Sequence, residues 1–139
     1  LYISYNLNTP LGSQLSRQLK AGSDVRLVNS PSEAQAILYV LGERRSRNVV
    51  AYNAYGDARE YELKLEVSFR LSAPDGAQYL PDTVIAAVRE ISYNEEDYLT
   101  RDAEEALVIN EMLSDIVVQM VRRIEKAQPP KLPEDLTTR

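Results

Sequence analysis

The chain has 139 residues, of which 44% are hydrophobic and 27% are charged, a balance typical of one globular domain large enough to bury a core. The formal net charge of −5 disfavours a dedicated nucleic-acid binder. Cysteine and histidine are absent, which excludes disulfides and the thiolate and imidazole chemistry of many catalytic and metal sites. No apolar run approaches the roughly 18 residues that a membrane-spanning helix needs.

The chain opens on a predicted strand followed by a helix. In residues 1–5, LYISY, apolar side chains alternate, as they do in a half-buried strand. Thr9 and Pro10 then form a favourable helix start, with threonine as N-cap, and Gly22 is a favourable stop. Because the first residue already lies in a strand, we expect that residues preceding it, including any targeting sequence, have been removed.

The middle of the chain predicts further strands. A short strand is expected over 25–28, and the apolar run AILYVL begins a long strand over 37–52 with a bulge near Gly42. A hairpin loop over 53–57 leads to EYELKLEVSFRL, residues 60–71. Apolar and polar side chains alternate almost perfectly along this strand. Its apolar face therefore predicts a core, and it remains to be established what its polar face contacts.

The last third predicts a strand, a helix and a tail. A turn at APDG precedes a strand over 84–93. From about residue 95 the apolar period changes to three and four, which predicts a long amphipathic helix over about 95–126. Three prolines then occur within five residues, and we expect 128–139 to be a disordered tail beyond a single domain formed by 1–127.

These elements together predict an α+β fold. The simplest arrangement is a two-layer sandwich: a sheet of about four strands, mixed and mostly antiparallel, with two helices packed on one face. If the strand after the first helix is parallel to the first strand, the connection between them should be a right-handed crossover.

Basic residues are concentrated in ERRSR, residues 43–47. On a strand, Arg45 and Arg47 share one face and Arg44 takes the other, whereas Arg59, across the hairpin, need not reach the same end of the sheet. Arginine forks suit phosphate groups, so this cluster is a candidate phosphate-binding site. The alternative is a charged edge that prevents strand-to-strand aggregation.

Acidic residues offer one route to catalysis, because two carboxylates suffice for a glycosidase. The candidates for this hydrolase hypothesis are Glu95, Glu96, Asp97 and Asp102. They lie near a helix start, where carboxylates are stabilised for purely structural reasons. The sequence shows no phosphate-binding glycine loop, no GxSxG motif and no metal-ligand spacing.

Two segments of the second half resemble the LptE family of lipopolysaccharide-assembly lipoproteins. They are AREYELKLEVSFRLSAPDG, residues 58–76, and VREISYNEEDYLTRDAEEALVINEMLSDIVVQMVRRI, residues 88–124. The start of the chain, 1–22, is similar to the family's first strand and its Pro-Leu helix opening. The individual marks are Glu60 with Tyr61, Tyr93 with Asn94, the patch of Arg101, Asp102 and Glu104, and Arg122, Arg123 and Ile124.

The resemblance implies a non-enzymatic outer-membrane protein of a Gram-negative bacterium that needs no cofactor. Such proteins are anchored on the periplasmic side by a lipidated N-terminal cysteine, which this chain lacks. They plug the β-barrel protein LptD in a one-to-one complex and help it fold, and the two proteins place lipopolysaccharide in the outer leaflet. The polar face of residues 60–71 would then look into a wet barrel lumen, and no nucleic-acid partner is expected.

The resemblance also implies basic contacts to the lipid A phosphates near the start of the last helix, where Arg101 matches. A second basic position of some relatives falls near Ala54 here, and Arg59 is a substitute close by. Charge pattern alone adds Arg44, Arg45 and Arg47 to the lipopolysaccharide-binding candidates. The alternatives are an exposed Arg101 paired with Glu105, a periplasmic protein-binding module without a lipid role, and the hydrolase above.

Overall fold

The computed structural model describes residues 1–92 and 101–127, except for the side chain of Arg101. Strands, helices and one 3-10 turn follow in the order β1 (Tyr2–Ser4), α1 (Pro10–Gly22), the turn Pro31–Glu33, β2 (Ile37–Tyr52), β3 (Ala58–Ser72), β4 (Gln78–Ser92) and α2 (Arg101–Lys126). The predicted tail, the acidic residues 95–97 and the Tyr93-Asn94 pair lie outside the described residues.

The four strands form one sheet in the order β1-β2-β3-β4. β1 pairs with β2 in parallel, and the other two pairs are antiparallel. Both helices contribute to the core on one face of this sheet. The predicted α+β class, with a mixed and mostly antiparallel sheet under two helices, is therefore confirmed.

The alternation of β3 decides which face of the sheet is the core. Its odd-numbered side chains from Tyr61 to Leu71 are buried, with Val67 and Phe69 fully inaccessible, and its even-numbered ones are only half-buried. Burying one such side chain contributes about 1.5–3 kcal/mol, so this central strand anchors the domain. We call the buried side the helix-covered face and the opposite side the outer face.

Each helix presents one apolar stripe to the sheet. In α1 the Thr9 hydroxyl accepts a hydrogen bond from the Gly12 N–H at 3.1 Å, which confirms the predicted N-cap. The stripe of α1 consists of Leu11, Leu15 and Leu19, and that of α2 includes Met112, Ile116 and Met120. Within the described residues, neither helix is apolar over enough of its length to cross a membrane.

Two details depart from the sequence predictions, and a third confirms one. The short strand expected over 25–28 is wrong: this segment is bound to the first strand by a hydrogen bond from the Val28 N–H to the Leu1 carbonyl at 2.9 Å, without a ladder. β4 begins at Gln78, earlier than predicted, because Pro81 is tolerated in an edge strand. The bulge near Gly42 is confirmed, and a second irregularity lies between Val49 and Tyr52.

Candidate binding surface

β2 extends beyond the part of the sheet that is buried. Its first residues, Ile37 and Leu38, belong to the core, whereas most side chains from Leu41 onwards are exposed. β1 accounts for part of this difference, because it pairs with β2 only as far as Tyr39. The rest of β2 is therefore an edge whose side chains are accessible on both faces.

The register of β2 against β3 separates the arginines of ERRSR. Arg45 lies opposite Leu65 and Arg47 opposite Leu63, so both belong to the helix-covered face. Arg44 lies opposite Glu66 and belongs to the outer face. The predicted division of the three arginines is confirmed, and the segment is not one continuous basic patch.

Arg47 is held by two contacts from different elements. Its guanidinium is 3.2 Å from a carboxylate oxygen of Glu105 in α2, and it lies 4.8 Å from the ring centroid of Tyr61 in β3. About half of the Arg47 side chain remains exposed, whereas only 18% of the Glu105 side chain is accessible. A charge that is held but still accessible can bind a further anion.

The β2–β3 hairpin ends in an ordered loop with exposed aromatic side chains. The Asn53 carbonyl oxygen Oδ1 accepts hydrogen bonds from the backbone N–H groups of Tyr55 and Asp57, at 2.9 and 3.0 Å. Gly56 takes the left-handed conformation, with φ of 83°, that this turn requires. Tyr55 is 87% exposed and Tyr52 is 65% exposed, which gives this tip an amphipathic character.

Arg59 and the first turn of α2 lie near the same end of the sheet, which we call the hairpin end. Strand alternation places Arg59, which is exposed, on the face that also carries Tyr61. Arg101 begins α2 one turn before Glu105, about 6 Å along the helix axis. The backbone thus gathers Arg47, Arg59 and the start of α2 at the hairpin end, while the loop position Ala54 carries no charge.

The residue that opens the ERRSR segment has a different role. Glu43 accepts a hydrogen bond from the hydroxyl of Tyr5, just after β1. Burial, reinforced by the negative Glu43, raises the pKa of Tyr5 to about 12. This contact fixes the strand before the arginines begin, so Glu43 is structural.

A groove of about 640 Å³ lies at the other end of the sheet. Its walls combine apolar side chains such as Leu71 and Ile124 with charged ones such as Asp24 and Arg26. None of the five arginine candidates lines this groove in the part of the chain that the structure describes. The groove is therefore separate from the hairpin end.

Of the acidic residues considered for catalysis, only Asp102 lies within the described part. It is exposed in the first turn of α2 together with Glu104. Carboxylates at this position are stabilised by the helix dipole, which accounts for them without catalysis. Glu95, Glu96 and Asp97 lie outside the described residues, so the hydrolase hypothesis stays an untested prediction.

Comparison with known proteins identifies the family. A sequence model described as LptE, lipopolysaccharide-assembly, matches residues 1–124. The chain belongs to the LptE family. This is a non-enzymatic family, and membership supports a role in lipopolysaccharide assembly. No curated protein sequence matches the chain significantly.

Three solved structures share the LptE-like fold. The NMR structure of an uncharacterized lipoprotein B from Nitrosomonas europaea is 25% identical, with a TM-score of 0.78 over 89% of this chain and 80% of its own. The rare lipoprotein B from Shewanella oneidensis is 19% identical, with a TM-score of 0.75 over 89% and 93%. A minor lipoprotein from Acinetobacter baumannii is 22% identical, with a TM-score of 0.69 over 89% and 90%. The latter two similarities establish the fold, and the lipoprotein neighbours agree with the envelope role of the family.

Sequence reasoning missed two residues of the candidate surface. The sequence predicts Tyr61 in the core, which is confirmed, and offers a pair of Glu105 with Arg101, but it does not predict that Tyr61 and Glu105 contact Arg47. Strand alternation could have indicated Tyr61, since it lies on the same face as Arg47, two register positions further along. The Arg47–Glu105 contact depends on where α2 lies on the sheet, which no local pattern specifies.

We expect Arg47 and Glu105 to be energetically coupled. A double-mutant cycle with Arg47→Ala and Glu105→Ala, measured by urea unfolding, should give a coupling free energy of about 0.5–1 kcal/mol, because the pair is partly shielded from water. A second cycle with Arg44→Ala and Glu105→Ala is the control, and it should show no coupling across the sheet. Equal coupling in both cycles would contradict the placement of α2 over β2.

Proposed function

We propose that the chain is a non-enzymatic outer-membrane assembly factor that plugs the β-barrel LptD and binds lipopolysaccharide for insertion into the outer leaflet. Membership of the LptE family supports this assignment over residues 1–124. The structural observation that carries it is the hairpin end, where the accessible Arg47 and Arg59 lie at the same end of the sheet as exposed tyrosines and the start of α2. A generic protein-binding module remains the alternative, and it lacks the lipid contact.

The outer face supports the plug. On β3 it carries Glu62, Lys64, Glu66, Ser68 and Arg70, all half-buried. Lys64 and Glu66 form an ion pair at 2.9 Å, and the Arg70 guanidinium lies 5.1 Å from the ring centroid of Tyr39. A polar surface of this kind suits the wet lumen of a barrel better than it suits lipid.

The hairpin end supports lipopolysaccharide binding. Arg47 and Arg59 share the helix-covered face, and the backbone of Arg101 opens α2 at the same end of the sheet. Forked hydrogen bonds from such guanidinium groups can bind the phosphates of lipid A. Tyr52 and Tyr55 offer amphipathic rings of the kind that lie at the boundary between acyl chains and head groups. Arg45 extends the basic stretch along β2, whereas Arg44 faces the opposite side and becomes a candidate for the barrel wall.

The assignment requires no metal, cofactor or nucleic acid, and mechanism is binding alone. The domain is proposed to span 1–127. An N-terminal lipid anchor preceding Leu1 would hold the protein at the periplasmic side of the outer membrane. Lipopolysaccharide would then be handed from the periplasm to the barrel past the hairpin end.

Co-purification tests the plug. The affinity-tagged chain, co-expressed with LptD of the same organism, should recover the barrel in a one-to-one complex. Ser68→Arg, at the centre of the outer face, should reduce recovery, whereas the same change at Ser32 in the exposed 3-10 turn should leave it intact. If the tagged chain is recovered without the barrel although the barrel is properly folded, the proposed plug function is contradicted.

A further inference from the structure

β4 leaves one of its edges open. It is the last strand in the sheet order, and no strand within 1–92 pairs with its far side. Its ladder with β3 runs from Val84 to Ser92 without a register shift, so this part of the strand is regular. Proline and register shifts, which commonly protect edges, occur only before Val84.

The outer-face side chains of this edge are apolar over its first half. Val84 is 57% exposed and Val88 is 44% exposed, with the exposed Ala86 between them. No charged residue occurs from 83 to 88. Unpaired backbone groups beside an exposed apolar stripe are a template for an added strand, in which main-chain hydrogen bonds give affinity and alternate side chains give specificity.

Charge defines what the added strand should carry. On the outer face Glu90 lies directly opposite Glu62, an unfavourable arrangement for like charges. Neither carboxylate forms an ion pair with another of the residues that the structure describes. A lysine or arginine on an added strand, next to Glu90, would relieve this repulsion.

A second copy of the chain fits this edge poorly. Two-fold pairings centred on Ala86, Ala87 or Val88 place Glu90 opposite Asp82, Val84 or Ala86 of the other copy. Opposite Asp82, Glu90 meets a like charge. Opposite Val84 or Ala86, its carboxylate lies against an apolar side chain. The charge pattern therefore favours a different polypeptide.

We propose that the edge of β4 from Val84 to Glu90 binds an extended segment of a partner protein by strand addition. The segment carries β-branched apolar residues at alternate positions and a basic residue at the position next to Glu90. The peptide test of this contact requires neither lipopolysaccharide nor the barrel.

A palindromic peptide tests the proposal in either strand direction. The probe is labelled Lys-Thr-Val-Thr-Val-Thr-Val-Thr-Lys, and the control replaces both lysines by glutamate. In fluorescence polarisation the lysine peptide should bind saturably and about fivefold more tightly than the glutamate peptide. Glu90→Lys, an exposed position, should reverse this order, and circular dichroism should confirm that the variant is folded.

N-methylation distinguishes strand addition from simple charge attraction. Alternate N–H groups of an added strand point at β4, and they belong either to the valines or to the threonines of the peptide. Methylating the set that points at β4 should abolish binding, whereas methylating the other set should have a smaller effect. Hydrogen exchange along 84–90 should slow when peptide is bound. Absence of saturable binding, equal tolerance of both methylated peptides, or dimerisation of the chain through β4 would each overturn the proposal.

Discussion

Replacing Gly12 by alanine is expected to lower the free energy of unfolding by about 2 kcal/mol. An alanine Cβ at this position would lie 2.2 Å from the backbone oxygen of Asn6 and 2.9 Å from the Cα of Leu7. Both atoms belong to the backbone, so no side chain can move aside to make room. Helix propensity alone predicts the opposite sign, since alanine is favoured over glycine by about 1 kcal/mol in a helix interior.

Urea unfolding of the folded chain measures this effect, and Gly42→Ala is the matched control. A Cβ on Gly42 meets nothing within 4 Å, so the same chemical change should alter stability by less than about 0.5 kcal/mol. A Gly12→Ala variant as stable as the wild type would show that the loop before α1 can move away from the helix. The native loop is tied by a hydrogen bond from the Thr9 hydroxyl to the Asn6 carbonyl at 2.7 Å.

Local patterns predicted the elements that depend on local physics. The alternation of 60–71 gave the core face of β3, because a strand repeats every two residues. Thr9 and Pro10 gave the start of α1, because a cap requires only neighbouring N–H groups. These features need no knowledge of distant segments, which is why they could be derived from the chain alone.

Features that depend on tertiary placement could not be predicted. The role of Gly12 arises because the chain at Asn6 folds back against α1, and the partner of Arg47 arises from the position of α2 over the sheet. Segment 25–28 has the composition of a strand, but its hydrogen bonds to Leu1 beside β1 do not continue into a ladder. In each case a contact between remote segments decides the outcome.

The candidate binding surface could be predicted only in part. Strand parity correctly separates Arg44 from Arg45 and Arg47, because successive side chains of a strand point to opposite faces. The sequence places Arg59 at the start of the adjacent strand and leaves open whether it reaches the same end of the sheet as ERRSR. β3 begins at Ala58, so Arg59 lies within the strand, on the face shared with Tyr61.

Charge reversal at Arg59 and Arg101 is expected to weaken lipopolysaccharide binding about tenfold or more for each position. A charge-assisted hydrogen bond to a phosphate contributes about 1.5–3 kcal/mol, and a glutamate replaces that attraction with repulsion. Binding of the purified chain to lipopolysaccharide can be measured by fluorescence titration with Arg59→Glu and Arg101→Glu. The affinity of the wild type should also fall as salt increases, because part of the attraction is electrostatic.

Arg123→Glu is the matched control for these variants. Arg123 lies in the same helix as Arg101, about 33 Å away along its axis, so an effect of net charge alone would weaken binding equally. Arg44→Glu reports on the outer face and should retain binding, because Arg44 lies on the opposite side of the sheet from Arg47. Lipopolysaccharide whose lipid A lacks phosphates should bind all four variants and the wild type alike. Phosphate recognition at the hairpin end would be contradicted if Arg123→Glu weakened binding equally, or if Arg59→Glu and Arg101→Glu left binding undiminished. Neither result bears on the barrel complex, which co-purification tests separately.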